Sequence, residues 1–252
     1  MTSLARSSLQ SLTRREIVRI TRQPARVIAG LGTVAMLWLV FASGLAGAFS
    51  HAQQGYGAFL VPAMASMVVL FASIFGAISL IEDRQEGFLQ GVLVSPAPLW
   101  SVMGAKVLGG SAIALAQGVA VLALAPLTAV SPTPTGWLLA VLALAAMCMG
   151  ITGLALAIAW KVRSVAGFHG VMNLVLMPMW LLGGTLFPID SASPWLATIM
   201  RLDPMAWTID ALRQAMTGSG AMGIWAWIGS AGFAVAALAA ACIVGIHTRI
   251  SS

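Results

Sequence analysis

The sequence predicts an all-α polytopic membrane protein. It has six transmembrane helices, an N-terminal interfacial helix, a short cytoplasmic helix and an external re-entrant helical hairpin, with both termini cytoplasmic. Three observations carry that expectation. First, of 252 residues 60% are hydrophobic and only 8% charged, against about 25% charged in a soluble domain, which excludes disorder and an ordinary soluble globule. Second, six windows hold no Asp, Glu, Lys or Arg: 27–49, 58–81, 107–130, 137–160, 165–187 and 224–246. A helix needs about 20 apolar residues to cross the hydrocarbon core, and a central charge costs about 2.5–3.5 kcal/mol on insertion scales. Third, the basic residues are lopsided. With six spans, the side of the N-terminal tail holds all Lys and Arg except Arg201 and Arg213, so the positive-inside rule puts that side in the cytoplasm.

The elements follow in order. Residues 1–26 form a cytoplasmic tail in which Ala5, Leu9, Leu12, Ile17 and Ile20 share one helical face, with Arg14, Arg15, Arg19 and Arg22 gathered opposite. Such a helix lies in the membrane interface with its arginines near anionic headgroups. Glu16, inside the apolar face, counts against this, and a solvated basic tail is the alternative. Residues 27–252 form the six-span transmembrane domain. The first window is too long for the core of a signal peptide and reads as a retained span. Loops 50–57 and 131–136 are short connectors, the second turned by Pro132 and Pro134.

Cytoplasmic segment 82–106 opens with Glu82, Asp83 and Glu86. Phe88, Leu89, Val92 and Leu93 then form an apolar stripe, and Ser95, Pro96 and Pro98 stop the helix. Either the stripe docks a soluble partner or it rests on the protein's own inner ends. External region 188–223 carries two amphipathic stretches too short to cross, 195–202 and 205–216, with Asp210 and Arg213 expected to pair at i,i+3. As a re-entrant hairpin they would cap a cavity, since irregular backbone at membrane depth needs protein or water around it. In the fifth span His169, Met172, Asn173, Leu176 and Trp180 share one face at α-helical spacing, and Pro178 permits a kink. That face either lines a cavity or bonds neighbouring helices.

No catalytic or metal constellation is legible. His51, His169 and His247 are scattered, neither Cys148 nor Cys242 joins them in a ligand set, and no Walker A loop or nucleophile elbow occurs. The spans carry no carboxylate or Lys for a proton relay, so energy for transport must come from a partner.

Three motifs resemble the permease subunits of type-2 ABC exporters, the class that includes drug-resistance permeases of the daunorubicin type. They are Glu82-Asp83-Arg84-Gln85-Glu86-Gly87-Phe88-Leu89 through Leu93-Val94-Ser95-Pro96 to Lys106; Gly183-Gly184-Thr185-Leu186-Phe187-Pro188 followed by Pro194-Trp195-Leu196; and Leu202-Asp203-Pro204-Met205-Ala206-Trp207 with Asp210-Ala211-Leu212-Arg213. Asp203 stands where the family more often has Asn, and Trp207 where it has Tyr. The resemblance implies that Glu82, Asp83, Glu86, Phe88, Leu89, Val92 and Leu93 belong to a coupling helix docking into a cytoplasmic ABC ATPase, present in two copies. It implies a homodimer of permeases, with a pathway along the second and fifth spans lined by Phe71, Phe75, His169, Met172, Asn173, Met177 and Trp180. The external gate would include Trp195, Asp203, Pro204, Trp207, Asp210 and Arg213, and Arg14, Arg15 and Arg19 would lie on the interfacial connecting helix.

The expected function is therefore the permease subunit of an ATP-driven exporter in a bacterial inner membrane, moving a drug-like or lipid-like compound. The chain itself is expected to hold no cofactor and no metal; ATP and Mg would sit in the ATPase. Its expected partners are that ATPase, a second copy of itself and membrane lipid, with no nucleic acid. The alternatives are an intramembrane enzyme acting on lipid or peptide bonds, with His169 as base, a polysaccharide or lipid-linked glycan exporter of the same fold, and a membrane scaffold.

Overall fold

The computed structural model describes residues 2–22, 24–44, 55–87, 98–128 and 130–247, and among them every regular element is helical. The polar tail forms α1 (Thr2–Thr21), and Pro24 opens α2 (Pro24–Gly44), where its missing N–H costs nothing. Helix α3 (Gly55–Gln85) has 31 residues. At 1.5 Å per residue it is about 46 Å long, enough to overrun the hydrocarbon core at both ends. Gly87 (φ 77°) turns the chain out of α3 in the left-handed region, where a side chain would be strained.

Helix α4 (Leu99–Leu122) is followed by a 3₁₀ turn at Ala125–Thr128. Helix α5 (Pro134–Lys161) starts where Thr133 Oγ1 accepts from Gly136 N at 3.1 Å, with Pro134 as first helical residue. The next span is interrupted. Helix α6 (Val165–Val171), capped by Ser164, passes into a π turn at Met172–Leu176 and then α7 (Met177–Leu182). Two short helices follow, α8 (Pro194–Leu202) and α9 (Pro204–Thr217), close to the amphipathic stretches read in the sequence. Helix α10 (Ile224–His247) completes the described chain.

Among the described residues five helical stretches are long and apolar enough to cross a membrane: Ala58–Gln85, Trp100–Thr128, Pro134–Lys161, Val165–Leu182 and Ile224–Gly245. The expected first span, 27–49, is described only as far as Gly44, and its apolar portion Val27–Phe41 is shorter. The fifth also ends earlier than its charge-free window, because Gly184 (φ 73°) breaks the chain out of the helix before Phe187.

Helix α3 is the axis of the bundle, with α2, α4 and α5 packed around it and 89% of its spanning window buried. Glycine lets α5 and α10 approach. A Cβ on Gly150 would meet the Phe233 ring at 2.5 Å, and one on Gly153 would meet the Ala237 backbone at 2.9 Å. Small residues drive helix association in lipid, where burying apolar area supplies no force of its own. Across the α3–α5 face, Ser73 and Thr152 share a hydroxyl bond of 2.9 Å, which keeps both polar groups satisfied at depth.

Candidate functional site

The charges collect at the two ends of the bundle. At one end α1 lies along α4, with a Cβ on Gly109 falling 2.7 Å from Glu16 Cβ, and Ser8 and Ser101 hydroxyls 3.3 Å apart. This disposes of the solvated-tail alternative. It also explains the misplaced acid of the helical wheel, because Glu16 is buried and meets Lys106 Nζ at 3.0 Å. Lys106 reaches Asp83 Oδ2 at 2.6 Å as well. Arg19 bonds Asp83 Oδ1 and lies 3.4 Å from Glu82 Oε2, while Arg15 is 3.3 Å from Glu16 and 3.7 Å from Asp83. Three cations thus face three carboxylates, with Lys106, Glu16 and Asp83 all but sealed from solvent. Burying one such ion alone would cost several kcal/mol, so the cluster stands only because each charge is compensated.

This changes the reading of the acidic stretch. Asp83, expected on a docking surface, is wholly buried and holds α1 and α4 to the end of α3; Glu82 is half-buried beside Arg19. Glu86 is the acid that faces outward, at the last turn before Gly87. Phe88, Leu89, Val92 and Leu93 lie outside the described residues. Of the three α1 arginines expected at headgroups, Arg14 is exposed and Arg15 and Arg19 turn inward to the cluster. Arg84 donates to the Trp160 and Val162 carbonyls at 2.8 and 3.0 Å and lies 5.2 Å over the Trp160 ring, capping α5.

The opposite end is built on α9, which wedges against α5 and α10. Gly136 and Gly229 give it room, since a Cβ on either would lie 2.7 Å from the Ala215 carbonyl oxygen or the Trp207 indole. The expected Asp210–Arg213 pair does not form. Asp210, buried, accepts from Gln214 Nε2 at 2.8 Å and from Ala221 N and Met222 N at 2.9 Å each, tying down the turn into α10. Arg213 points the other way. It donates to the Gly184 carbonyl at 2.9 Å with its guanidinium 4.2 Å over Phe59, and burial pushes its pKa down to about 10. Three donors on one carboxylate outbid an ion pair that i,i+3 spacing only permits. Tyr56 OH donates to Leu186 O at 3.0 Å, so segment 183–188 is clamped from both α3 and α9.

Asp203 joins α8 to α9. Its Oδ1 accepts from Met205 N at 2.9 Å, an N-cap that starts α9 with Pro204 behind it. Its Oδ2 is buried with no hydrogen-bond partner among the described residues, and desolvation pushes the carboxyl up to about 7. Trp207 Nε1 donates to Arg201 O at 2.7 Å, closing the same corner, whereas Trp195 stands exposed on α8.

Between the ends, α3 shows Phe71 and Phe75 half-buried, one turn apart on a helix otherwise buried from Leu60 to Ile81. The fifth span does not present one face, as regular spacing implied. Met172 and Trp180 are buried, with Trp180 Nε1 donating to Ser66 Oγ at 3.0 Å, and Met177 is half-buried, while His169 and Asn173 are exposed. Phe168, Met172, Leu176 and Trp180, four residues apart, form the buried face, and His169 and Asn173 lie one residue round from it. Tyr56, Glu16 and Lys106 were not singled out as site residues from the sequence. The lone tyrosine and the lone acid within the tail's apolar face were the available signals.

The model of the ABC-2 type transporter family matches residues 7–217, from α1 to the end of α9. The chain belongs to the ABC-2 type transporter family. A putative transport permease, ycf38, of Porphyra purpurea is 25% identical over 218 residues, covering 81% of this chain and 72% of the relative. The corresponding Cyanophora paradoxa protein is 23% identical over 208 residues, covering 80% and 71%. Nodulation protein J of Neorhizobium galegae is 37% identical over a 75-residue stretch, 28% of this chain and 29% of that protein. An ABC-2 protein is a membrane-embedded transport permease, so the reading as an intramembrane enzyme gives way.

Proposed function

We propose that this chain is the membrane-spanning subunit of an ATP-driven exporter, passing an amphipathic or hydrophobic compound and worked by a separate cytoplasmic ABC ATPase. The observation that carries the reading is the ion cluster at the root of segment 82–106. Glu86 and the left-handed Gly87 stand where the chain leaves α3, and three residues back Asp83 is bonded to α1 and α4. A push delivered to the segment after Gly87 by a docked ATPase therefore reaches three helices together. The six-span topology with cytoplasmic termini in a bacterial inner membrane belongs to the same reading.

Two protomers facing each other would enclose the pathway. The window Val165–Leu182 is only 22% buried, and it exposes His169 and Asn173 at membrane depth, where polar groups belong against protein or water. Phe71, Phe75 and Met177 supply apolar lining, and α8 and α9 form the external gate. The test is co-purification of the tagged chain with the ATPase encoded beside it, and ATP-dependent export in vesicles. Glu86→Lys is expected to abolish co-purification while leaving the permease folded. A permease that transports without any ATPase would end this reading.

A further inference from the structure

Helix α8 hangs at the edge of the bundle. It packs on the 3₁₀ turn Ile189–Ser191 and on α9, and its buried Met200 joins Ile189 and Ala206 in a small apolar cluster of their own. Its outer face shows Trp195, Ile199 and Leu202. Helix α9, by contrast, is wedged against α5 and α10 and tied down through Asp210 and Arg213. A single residue, Asp203, joins the two helices. Asp203 N donates to Met200 O at 3.2 Å, and Trp207 Nε1 donates to Arg201 O at 2.7 Å, so the corner is shut by the joint itself and by one indole.

The Asp203 side chain meets two opposed demands. Its Oδ1 caps α9, where the Met205 amide and the helix dipole favour a carboxylate. Its Oδ2 is sealed with no partner among the described residues, which favours the neutral acid. Burial wins, and the carboxyl is pushed up to about 7. No neighbouring charge offsets it. Asp190 on the 3₁₀ turn and Arg201 on α8 pair with each other in the open, Asp210 is taken up by Gln214, Ala221 and Met222, and Arg213 turns to Gly184 and Phe59. The titratable groups of α5 and α10, Cys148, Lys161, Cys242 and His247, lie in the middle or at the far end of those helices.

We propose that Asp203 is a proton latch for α8. Protonated, it keeps the corner between α8 and α9 closed and dry. Ionised, with its proton gone to bulk water, it keeps Oδ1 on Met205 N and draws water to Oδ2. Helix α8 then parts from Ala206 and Trp207, because α9 is held on more sides. If these helices gate a transport pathway, the looseness of the gate follows the pH on that side; this consequence rests on the reading above, whereas the latch does not.

The experiment is hydrogen–deuterium exchange of the full chain in mild detergent at about pH 5 and about pH 7.5, with rates corrected for intrinsic base catalysis. Local opening around an acid sealed in its neutral form grows with pH from the ordinary carboxylate range up to the closed-state pKa. The amides of residues 197–202 should therefore exchange at least about tenfold faster at the higher pH, while those of α9 and α10 hold. Asp203→Asn, which keeps a cap on Met205 N and cannot ionise, should exchange slowly at both. Asp190→Asn, which removes the other acid beside α8, should leave the tenfold ratio intact. Equal α8 exchange at the two pH values in the wild type would overturn the proposal, as would a ratio that survives Asp203→Asn or vanishes with Asp190→Asn. So would equal loosening of α9 and α10, which would mean that the whole end melts. Co-purification with an ATPase is a separate readout, so the latch and the transport reading can fail independently.

Discussion

The two ends of the bundle handle buried charge in opposite ways. At the α1 end three cations and three carboxylates form one closed network, and the sealed side chains Glu16, Asp83 and Lys106 each meet an opposite charge. At the α9 end the buried charges are kept apart. Asp210 is met by backbone and amide donors and Arg213 by a carbonyl and a ring, while Asp203 Oδ2 and Arg213 Nε have no partner among the described residues. A mutual network fixes helices relative to one another, because no member can leave without exposing the rest. Separately held charges tie α9 to its neighbours by single contacts, each of which can break without exposing the others, and this suits an element that moves.

The largest expected effect comes from breaking the network. Lys106→Met leaves Glu16 and Asp83 buried against less positive charge and should destabilise the fold by about 3–5 kcal/mol. The check is the thermal midpoint in detergent, together with the yield of membrane-inserted protein. Adding Asp83→Asn should recover part of the loss; a double variant worse than the single would mean the cluster is not mutually compensated. Next comes Asp210→Asn, which turns an amide donor against one of the two backbone donors, Ala221 N or Met222 N, and should cost about 1–3 kcal/mol. Faster proteolysis within residues 217–224, with α1 packing unchanged, is the expected readout.

Asp203 gives a smaller effect of opposite sign. Its folded-state pKa lies near 7, above the ordinary 3.8. The stability of the neutral form is therefore fully present below about pH 4 and lost as pH rises through about 7. Asp203→Asn keeps the cap on Met205 N and removes the ionisation, so it should gain about 1–2 kcal/mol at pH 8 and flatten the pH profile. A variant whose stability tracks pH as the parent's does would relocate the titration to another group. Smallest of all, Arg201→Ala breaks an exposed pair with Asp190 at 3.4 Å and should move stability by less than about 0.5 kcal/mol.

The helices were legible because lipid imposes a local rule: a charge-free run is readable one residue after another. What the wheel cannot carry is choice among distant partners. Glu16 looked like a flaw in an amphipathic face because its partner, Lys106, lies 90 residues away. Asp210 and Arg213 looked like a pair because spacing brings them near, while nothing local announces the Ala221 and Met222 amides that win the carboxylate. His169 and Asn173 were drawn on one face with Met172, Leu176 and Trp180, and an offset of one residue turns them out of the bundle. Family membership was legible through three motifs.

The contact between Glu16 and Gly109 also constrains how the chain is made. The glycine admits α1 to α4, and Lys106 then neutralises the acid, so the first helix synthesised has no finished binding place until the third predicted span has left the ribosome. Through the insertion of two spans α1 is without its partners, and its capture marks the moment at which that end of the bundle closes.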